Sequence, residues 1–194
     1  MGTRDVILDA AAKVMAERGL ANMTTRQIAQ AAGFTEAALY KHFTNKADLI
    51  VAVVRERSPG MTRLAQALQI GPGTGDLADN LTAIAQTAIA FYRDGFPMFA
   101  SMFADPATLA THKEELRRQD AGPHKANEAL AAYLRAEQAT GRLRPDADVQ
   151  AAAGLLLGAC FQQALLDHMS TPDLRDDGEA AREFAHALLA PLVP

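Results

Sequence analysis

The sequence is poor in residues that build disulfide-rich domains or β-sheets. Its one cysteine, Cys160, excludes an internal disulfide framework and fits a reducing cytoplasm. Tryptophan is absent and runs of β-branched residues are scarce, whereas alanine- and leucine-rich blocks alternate with proline and glycine. Apolar residues make up 49% of the 194 positions, enough for a substantial core. These features predict an all-α protein.

Signatures of catalysis and of membrane insertion are also missing. No Ser/His/Asp order or metal-binding His/Cys spacing is visible, and the glycine-rich residues 71–75 lack the lysine of a P-loop. The N-terminus has charges where a signal peptide would be apolar. The longest apolar run, residues 149–161, covers 13 residues, fewer than the ~20 of a spanning helix. We expect a cytoplasmic protein with no cofactor, metal or membrane partner; a helical enzyme is the alternative.

The most informative stretch is residues 24–46, TTRQIAQAAGFTEAALYKHFTNK. Thr24 with Gln27 three residues later fits a helix capping box. Gly33 suits the left-handed end of a first helix, and Thr35 is the N-cap of a second. Two short helices joined by a glycine turn predict a helix-turn-helix unit, with residues 6–18 as a bracing third helix.

The second short helix is expected to have two different faces. Leu39 and Phe43, four residues apart, would point to the core, so the remaining side chains would face outwards. Small residues beside Tyr, Lys and His suit the base edges and phosphates of DNA. The outward set is Glu36, Ala37, Tyr40, Lys41 and His42. Two ordinary helices of an all-α domain are the alternative interpretation.

From residue 7 to residue 49 the sequence resembles the DNA-binding signature of TetR-type (tetracycline-repressor-like) transcriptional regulators. The matching positions are Thr24-Thr25, Ile28-Ala29, Ala32-Gly33-Phe34, Leu39-Tyr40, His42-Phe43 and Lys46-x-x-Leu49. The resemblance implies phosphate contacts from Thr25, Tyr40 and Lys46. It implies base-edge contacts from Arg26, Glu36, Ala37, Ala38 and His42. Thr24, Thr35 and Lys41 complete the predicted DNA-binding set.

Two members of that set have open roles. Glu36 either accepts a hydrogen bond from a cytosine amino group or occupies the first helical turn because of the helix dipole. Lys41 is either a phosphate contact or a solvated lysine. Arg26 could bind guanine with two donors, and Lys46 lies in the first turn of the next helix, where a phosphate is favoured.

Charge is divided unevenly along the chain, whose net charge is −4. Residues 1–57 contain eight Lys/Arg and six Asp/Glu, a balance of +2, whereas residues 58–194 contain eleven and seventeen, a balance of −6. The acidity therefore lies outside the predicted DNA-binding segment. An architectural protein that binds all DNA equally, the second alternative, would be more basic.

The resemblance divides the chain into a helix-turn-helix domain, residues 1–46, and a helical ligand-binding and dimerisation domain, residues 47–194. We expect helix breaks at residues 58–60, 95–97 and 105–106, a short separate helix at 98–104, and Asp146 as the cap of a helix that reaches about residue 169.

The second part contains two candidate sites. Adaptable Phe and Met side chains near helix breaks could line the small-molecule pocket that the resemblance implies, or form ordinary core. The pocket candidates are Phe91, Tyr92, Phe96, Phe99, Met102, Phe103, His112, Tyr133 and Gln162.

The second candidate site is a surface for self-association. Gly154 and Gly158, four apart, would let another backbone approach closely. The resemblance implies a homodimer through the last two long helices, and burial within one subunit is the alternative. The interface candidates are Ala151, Leu155, Gly158, Ala159, Gln162, Leu166, Phe184 and Leu188. We therefore predict a ligand-responsive repressor that a small apolar or aromatic molecule releases from a palindromic operator.

Overall fold

A computed structural model describes residues 2–57, 59–104, 106–170 and 175–194. Within these ranges the chain forms ten α-helices and no strand, so the predicted all-α class is confirmed. Ser58 and Asp105, expected near helix breaks, lie outside the described residues. The helices are α1 (Thr3–Asn22), α2 (Thr25–Ala31), α3 (Glu36–Leu39), α4 (Lys46–Arg57), α5 (Pro59–Ala67), α6 (Leu77–Phe103), α7 (Pro106–Arg118), α8 (His124–Ala139), α9 (Val149–His168) and α10 (Asp177–Leu189).

The first compact unit contains Met1–Thr62 and Gly95–Gly122. In it, α1 packs against α2 and α4, α2 packs against α3, and α7 packs against α4. Burial of each large apolar side chain contributes about 2 kcal/mol to such a core. Its largest fully buried members include Ile7, Leu8, Met23, Ile28, Leu39 and Leu49.

The second compact unit contains Arg63–Asp94 and Pro123–Pro194. Here α9 packs against both α8 and α10. Buried side chains of α6, α8 and α9 form the core, among them Leu81, Ile84, Ile89, Leu130, Leu134 and Leu156. The two units are defined by packing, and α4 belongs to the first of them. The boundary expected after residue 46 divides the chain by function instead, and it stays a prediction.

Helix α6 corrects one sequence-based expectation. The break at residues 95–97 and the separate helix at 98–104 were wrong, because α6 runs unbroken from Leu77 to Phe103 with Pro97 inside it. Proline has no backbone N–H, so the carbonyl of Arg93, four residues earlier, loses its helical donor. His168 Nε2 lies 2.9 Å from that carbonyl oxygen and donates to it. A side chain of α9 thus satisfies the acceptor that the proline leaves open.

The start of α9 corrects a second expectation. The cap is Asp148, whose carboxylate accepts from the backbone N–H of Gln150 and Ala151 at 3.1 and 3.0 Å. Asp146 instead binds Arg144, and that hydrogen bond lowers the pKa of its carboxyl. Among the described helices, α9 has the length and composition of a membrane span, with a mean hydropathy of 1.5, and 44% of that window is buried in the protein.

Replacing His168 by alanine should lower the free energy of unfolding by about 1 kcal/mol, the net value of one hydrogen bond. Urea denaturation measures this change. In a Pro97→Ala background the amide of residue 97 can supply the helical hydrogen bond, so the same His168 substitution should cost less. An equal cost in both backgrounds would show that His168 stabilises the fold through another contact.

Candidate nucleic-acid interface

Helix α2 is capped at both ends by the residues that the sequence indicated. The Thr24 side chain accepts from the backbone N–H of Gln27 at 3.2 Å, and the Gln27 side chain accepts from the N–H of Thr24 at 2.9 Å. At the other end Gly33 has a φ of 75°, and the N–H of Phe34 reaches the carbonyl of Ala29 at 2.9 Å. This Schellman-type ending needs the left-handed conformation that glycine adopts easily. It turns the chain into α3.

Helix α3 is shorter than its sequence pattern indicated. The Thr35 side chain caps it by accepting from the N–H of Ala38 at 3.3 Å, but regular helix ends at Leu39. The chain continues in tight turns, in which the N–H of His42 and of Phe43 both reach the carbonyl of Leu39. Leu39 and Phe43 are nonetheless buried, as predicted.

The predicted DNA-contacting side chains lie on the outer surface of α2, α3 and the turns after α3. Thr25 and Ala38 are half-buried, and the others in this part are exposed: Thr24, Arg26, Thr35, Glu36, Ala37, Tyr40, Lys41 and His42. Arg26 and Glu36 also line one groove together with Gln30 and Phe34. The structure therefore leaves most of these predicted residues open to solvent, and their contacts with DNA stay a prediction.

Lys46, at the start of α4, is less exposed than a typical surface lysine. Its Nζ lies 3.5 Å from the carbonyl oxygen of Leu20, and burial lowers the pKa of its ammonium group. Asn45 caps α4 by accepting from the N–H of Asp48 at 2.8 Å. The Asp48 carboxylate accepts from the N–H of Thr44 at 2.7 Å. Lys46 is thus held near the end of α1.

An ionic contact between α1 and α4 escaped the sequence analysis. Arg4 donates to both carboxylate oxygens of Glu56, at 2.7 and 2.8 Å, and its guanidinium lies 5.4 Å from the centre of the Phe43 ring. Hydrogen bonds from Arg4 and Arg55 outweigh the opposing effect of burial and lower the pKa of Glu56 to about 2. Arg4 and Glu56 are 52 positions apart, so no local pattern could indicate the pair.

A second polar contact joins α4 to α7. Gln119 Nε2 donates to Asp48 at 2.9 Å and to Glu115 at 2.6 Å, and its amide oxygen accepts from Arg55 at 3.0 Å. Glu115 is buried and also accepts from Arg118 at 2.5 Å, which lowers the pKa of Glu115 despite its burial. These side chains connect the beginning of α4 with the end of α7.

The pocket candidates from the second unit belong to two different environments. Tyr92 is half-buried with its ring 5.4 Å from those of Phe91 and Phe161, and burial raises its pKa to about 12. Tyr133 is buried, and its hydroxyl accepts from Asn80 at 3.1 Å. Burial raises the pKa of Tyr133 to about 12. Gln162 is exposed.

Tyr133 lies beside a fully buried carboxylate. Glu137 accepts from Arg142 and from the backbone N–H of Gly73, each at 3.2 Å. This contact fastens the glycine-rich loop at residues 71–75 to α8. The surroundings of Tyr133 are therefore a satisfied polar cluster.

The remaining pocket candidates belong to the first unit. The rings of Phe96 and Phe99 meet edge to face at 6.5 Å, Met102 is buried, and Phe103 is 67% exposed. His112 is buried, with no described partner for Nδ1, and burial lowers its pKa. The structure does not gather the nine candidates into one cluster within either unit. Across the described residues, no group of three or more His, Cys, Asp or Glu could hold a metal ion.

The dimer candidates on α9 lie mainly on its outer face. Ala151, Leu155, Gly158 and Gln162 are exposed, and Ala159 and Leu166 are half-buried. A Cβ added to Gly154 or Gly158 would meet nothing within 4 Å. On α10, Phe184 and Leu188 are half-buried against the core of their own unit. The sequence analysis missed three exposed apolar residues that extend the same 3–4 spacing: Phe161, Leu165 and Met169.

Fold and site together define a helix-turn-helix protein with a helical body. The family model "Bacterial regulatory proteins, tetR family" matches residues 7–53, and "Tetracyclin repressor-like, C-terminal domain" matches residues 71–182. The chain therefore belongs to the TetR family, and the predicted resemblance is confirmed.

Two curated relatives match over about a third of the chain or less. The transcriptional regulator TtgR of Pseudomonas putida is 40% identical over 65 residues, 34% of this chain and 31% of that protein. The transcriptional repressor KstR2 of Rhodococcus jostii is 44% identical over 54 residues, 28% of this chain and 26% of that protein. The matched part thus spans about a third or less of these relatives.

Solved structures match along the whole chain. The structure of SmeT, the repressor of the Stenotrophomonas maltophilia multidrug efflux pump SmeDEF, has a TM-score of 0.62 and 24% identity, covering 100% of this chain and 92% of that one. At this identity the likeness supports the fold alone.

Proposed function

We propose that the protein is a cytoplasmic, ligand-responsive transcriptional repressor that binds a palindromic DNA operator as a homodimer and is not an enzyme. The observation that carries this proposal is the outward face of α3 and its following turns. There Leu39 and Phe43 are buried, while Glu36, Tyr40 and His42 are exposed. Relatives named as transcriptional regulators and repressors support the same function.

The predicted DNA-binding side chains would make two kinds of contact, to phosphates and to base edges. Lys46 and the hydroxyls of Thr25 and Tyr40 would hold phosphates, which fixes the register of the protein on the duplex. Arg26 and His42 would read base edges in the major groove, because both carry donors that suit guanine. The Lys46 contact would act on every sequence, whereas base contacts distinguish the operator from other DNA.

The dimer would form through the outer face of α9. Leu155 within α9 is 69% exposed and Met169 at its C-cap is 71% exposed, and both values are high for large apolar side chains. Gly154 and Gly158 leave the backbone between them open to close approach. A second copy of the chain is the occupant that fits, since the family pairs its C-terminal helices and a palindrome needs two recognition elements about one helical turn (~34 Å) apart.

Ligand control requires that the effector bind one conformation better than the other. The aromatic cluster of Phe91, Tyr92 and Phe161 supports an apolar or aromatic effector. Helix α4 would carry the response, because it begins at Lys46 and is fastened to both α1 and α7.

The Arg4→Met variant should show how the contact between Arg4 and Glu56, which joins α1 to α4, depends on pH. The pKa of Glu56 falls from 4.5 to about 2 in the folded protein, so its contact with Arg4 stabilises the fold above pH 4.5 and is lost as the pH falls towards 2. We expect the variant to have a lower urea midpoint than the wild type at pH 7 and the gap to close below pH 4.5. Arg18→Met is the control on the same helix; a gap that stays constant with pH would contradict the assignment.

Two substitutions should separate base readers from phosphate contacts. A footprint on the DNA flanking the gene is expected to reveal a protected palindrome, which then serves as the probe. Arg26→Ala should weaken binding to this operator by 1–3 kcal/mol, about 5- to 150-fold, and barely affect a shuffled duplex. Lys46→Ala should weaken both and reduce the salt dependence.

Lys13→Ala, which removes a charge from an exposed part of α1, is the matched control. If Arg26→Ala weakened operator and shuffled duplex equally, Arg26 would not be a base reader. The same footprint repeated with small aromatic compounds tests ligand control, and a palindrome that no compound releases would count against it.

Two substitutions on α9 test the dimer. Leu155→Glu should yield a folded monomer in light scattering, because a carboxylate would be buried without a partner. Gly158→Leu should do the same without disturbing the chain itself, since nothing lies within 4 Å of its added Cβ. Phe103→Glu, at the similarly exposed Phe103, is the control and should leave the dimer intact. If both α9 variants remained dimers, the outer face of α9 would not be the dimer interface.

A further inference from the structure

Three predicted DNA-facing residues are hydrogen-bonded to one another in the free protein. Thr25 Oγ1 lies 2.5 Å from Glu36 Oε1, and the Tyr40 hydroxyl oxygen lies 3.5 Å from Thr25 Oγ1. They come from α2, from α3 and from the turn after α3, so the chain of contacts spans the helix-turn-helix unit.

The chemistry of these groups fixes the direction of the hydrogen bonds. An ionised carboxylate accepts but cannot donate, so the hydroxyl proton of Thr25 is directed at Glu36. The Thr25 oxygen is then left as an acceptor for the hydroxyl of Tyr40. The Thr25 hydroxyl therefore donates to Glu36, and the Tyr40 hydroxyl donates to Thr25.

A DNA phosphate would compete with Glu36 for the same proton. Phosphate oxygens are also acceptors only, and the negative charge of Glu36 repels them. Arg26 lines the same groove as Glu36, yet the hydrogen bond described for this carboxylate comes from Thr25. While Glu36 stays in place, Thr25 is a poor phosphate contact.

Resting on the proposed function, we propose that Glu36 determines specificity by withholding Thr25 and Tyr40 from phosphates until the carboxylate itself binds a base. The donor that suits it in the major groove is the cytosine N4 amino group. On a sequence with cytosine at this position, Glu36 turns to the base and both hydroxyls become available to the backbone. On other sequences the carboxylate stays on Thr25 and disfavours binding. Base reading and phosphate contact are thereby coupled.

The test compares an operator, selected by the wild-type protein from a pool of random-sequence duplexes, with a shuffled duplex of the same composition. Glu36→Ala should tighten binding to the shuffled duplex by about tenfold, the value of one hydrogen bond to a charged group. It should also relax the preference for cytosine at one base pair of each half-site. Glu36→Gln, which keeps the size of the side chain, should shift binding in the same direction.

Thr25→Val tests whether Glu36 acts through the Thr25 hydroxyl. If Glu36 had only a structural role, the effect of Thr25→Val on DNA binding would be the same with and without Glu36. In the wild-type background it should weaken binding to the operator more than binding to the shuffled duplex, because on the shuffled duplex Glu36 already engages the hydroxyl. In the Glu36→Ala background it should abolish most of the tenfold gain. Glu17→Ala, which removes a carboxylate from an exposed part of α1, should not reproduce the gain.

Two outcomes would overturn the inference, and they can be told apart. If the wild type selects an operator but Glu36→Ala leaves the ratio of operator to shuffled binding unchanged, or Glu17→Ala changes it equally, only the role of Glu36 fails. If the wild type enriches no sequence at all, the proposed function fails with it.

Discussion

The burial of Leu39 and Phe43 determines how the candidate interface is presented. Both side chains are almost completely removed from solvent in the core of the first unit, and burial of each contributes about 2 kcal/mol. Because they occupy the inner side of α3 and its following turns, the polar residues between them must face outwards. The interface therefore depends on packing more than on helical regularity, since α3 has only four residues of regular helix.

Helix α4 connects this interface to the rest of the first unit through polar contacts at both ends. Near its start Asp48 binds Gln119, which follows α7, and near its end Glu56 binds Arg4 of α1. Arg4 also lies over the ring of Phe43, so a single side chain contacts both the end of α4 and the turn after α3. A displacement of α4 would disturb these contacts, which gives a physical route from movement of that helix to the predicted DNA-contacting residues.

The sequence analysis succeeded where the controlling interaction is local and failed where it is not. Caps at Thr24 and Thr35 and the turn at Gly33 depend on neighbours within four residues, and all three are observed. The expected break at residues 95–97 was wrong because His168, 75 positions away from Arg93, satisfies the carbonyl that Pro97 leaves open. The prediction that Asp146 caps α9 was wrong. Asp148 lies two residues later, directly before the first helical residue, and its carboxylate accepts the free N–H groups of the first turn.

The weak positive charge of the N-terminal segment and the open face of α9 bear on the same question. A balance of +2 over residues 1–57 supplies little general attraction to DNA, so one copy alone would bind weakly. Joining two copies makes the second contact intramolecular, which raises affinity without adding charge. It also restricts tight binding to sequences that present two correctly spaced half-sites. In this view the exposed apolar side chains of α9 and the hydrogen bond from Thr25 to Glu36 act in the same direction, since both disfavour random DNA relative to an operator.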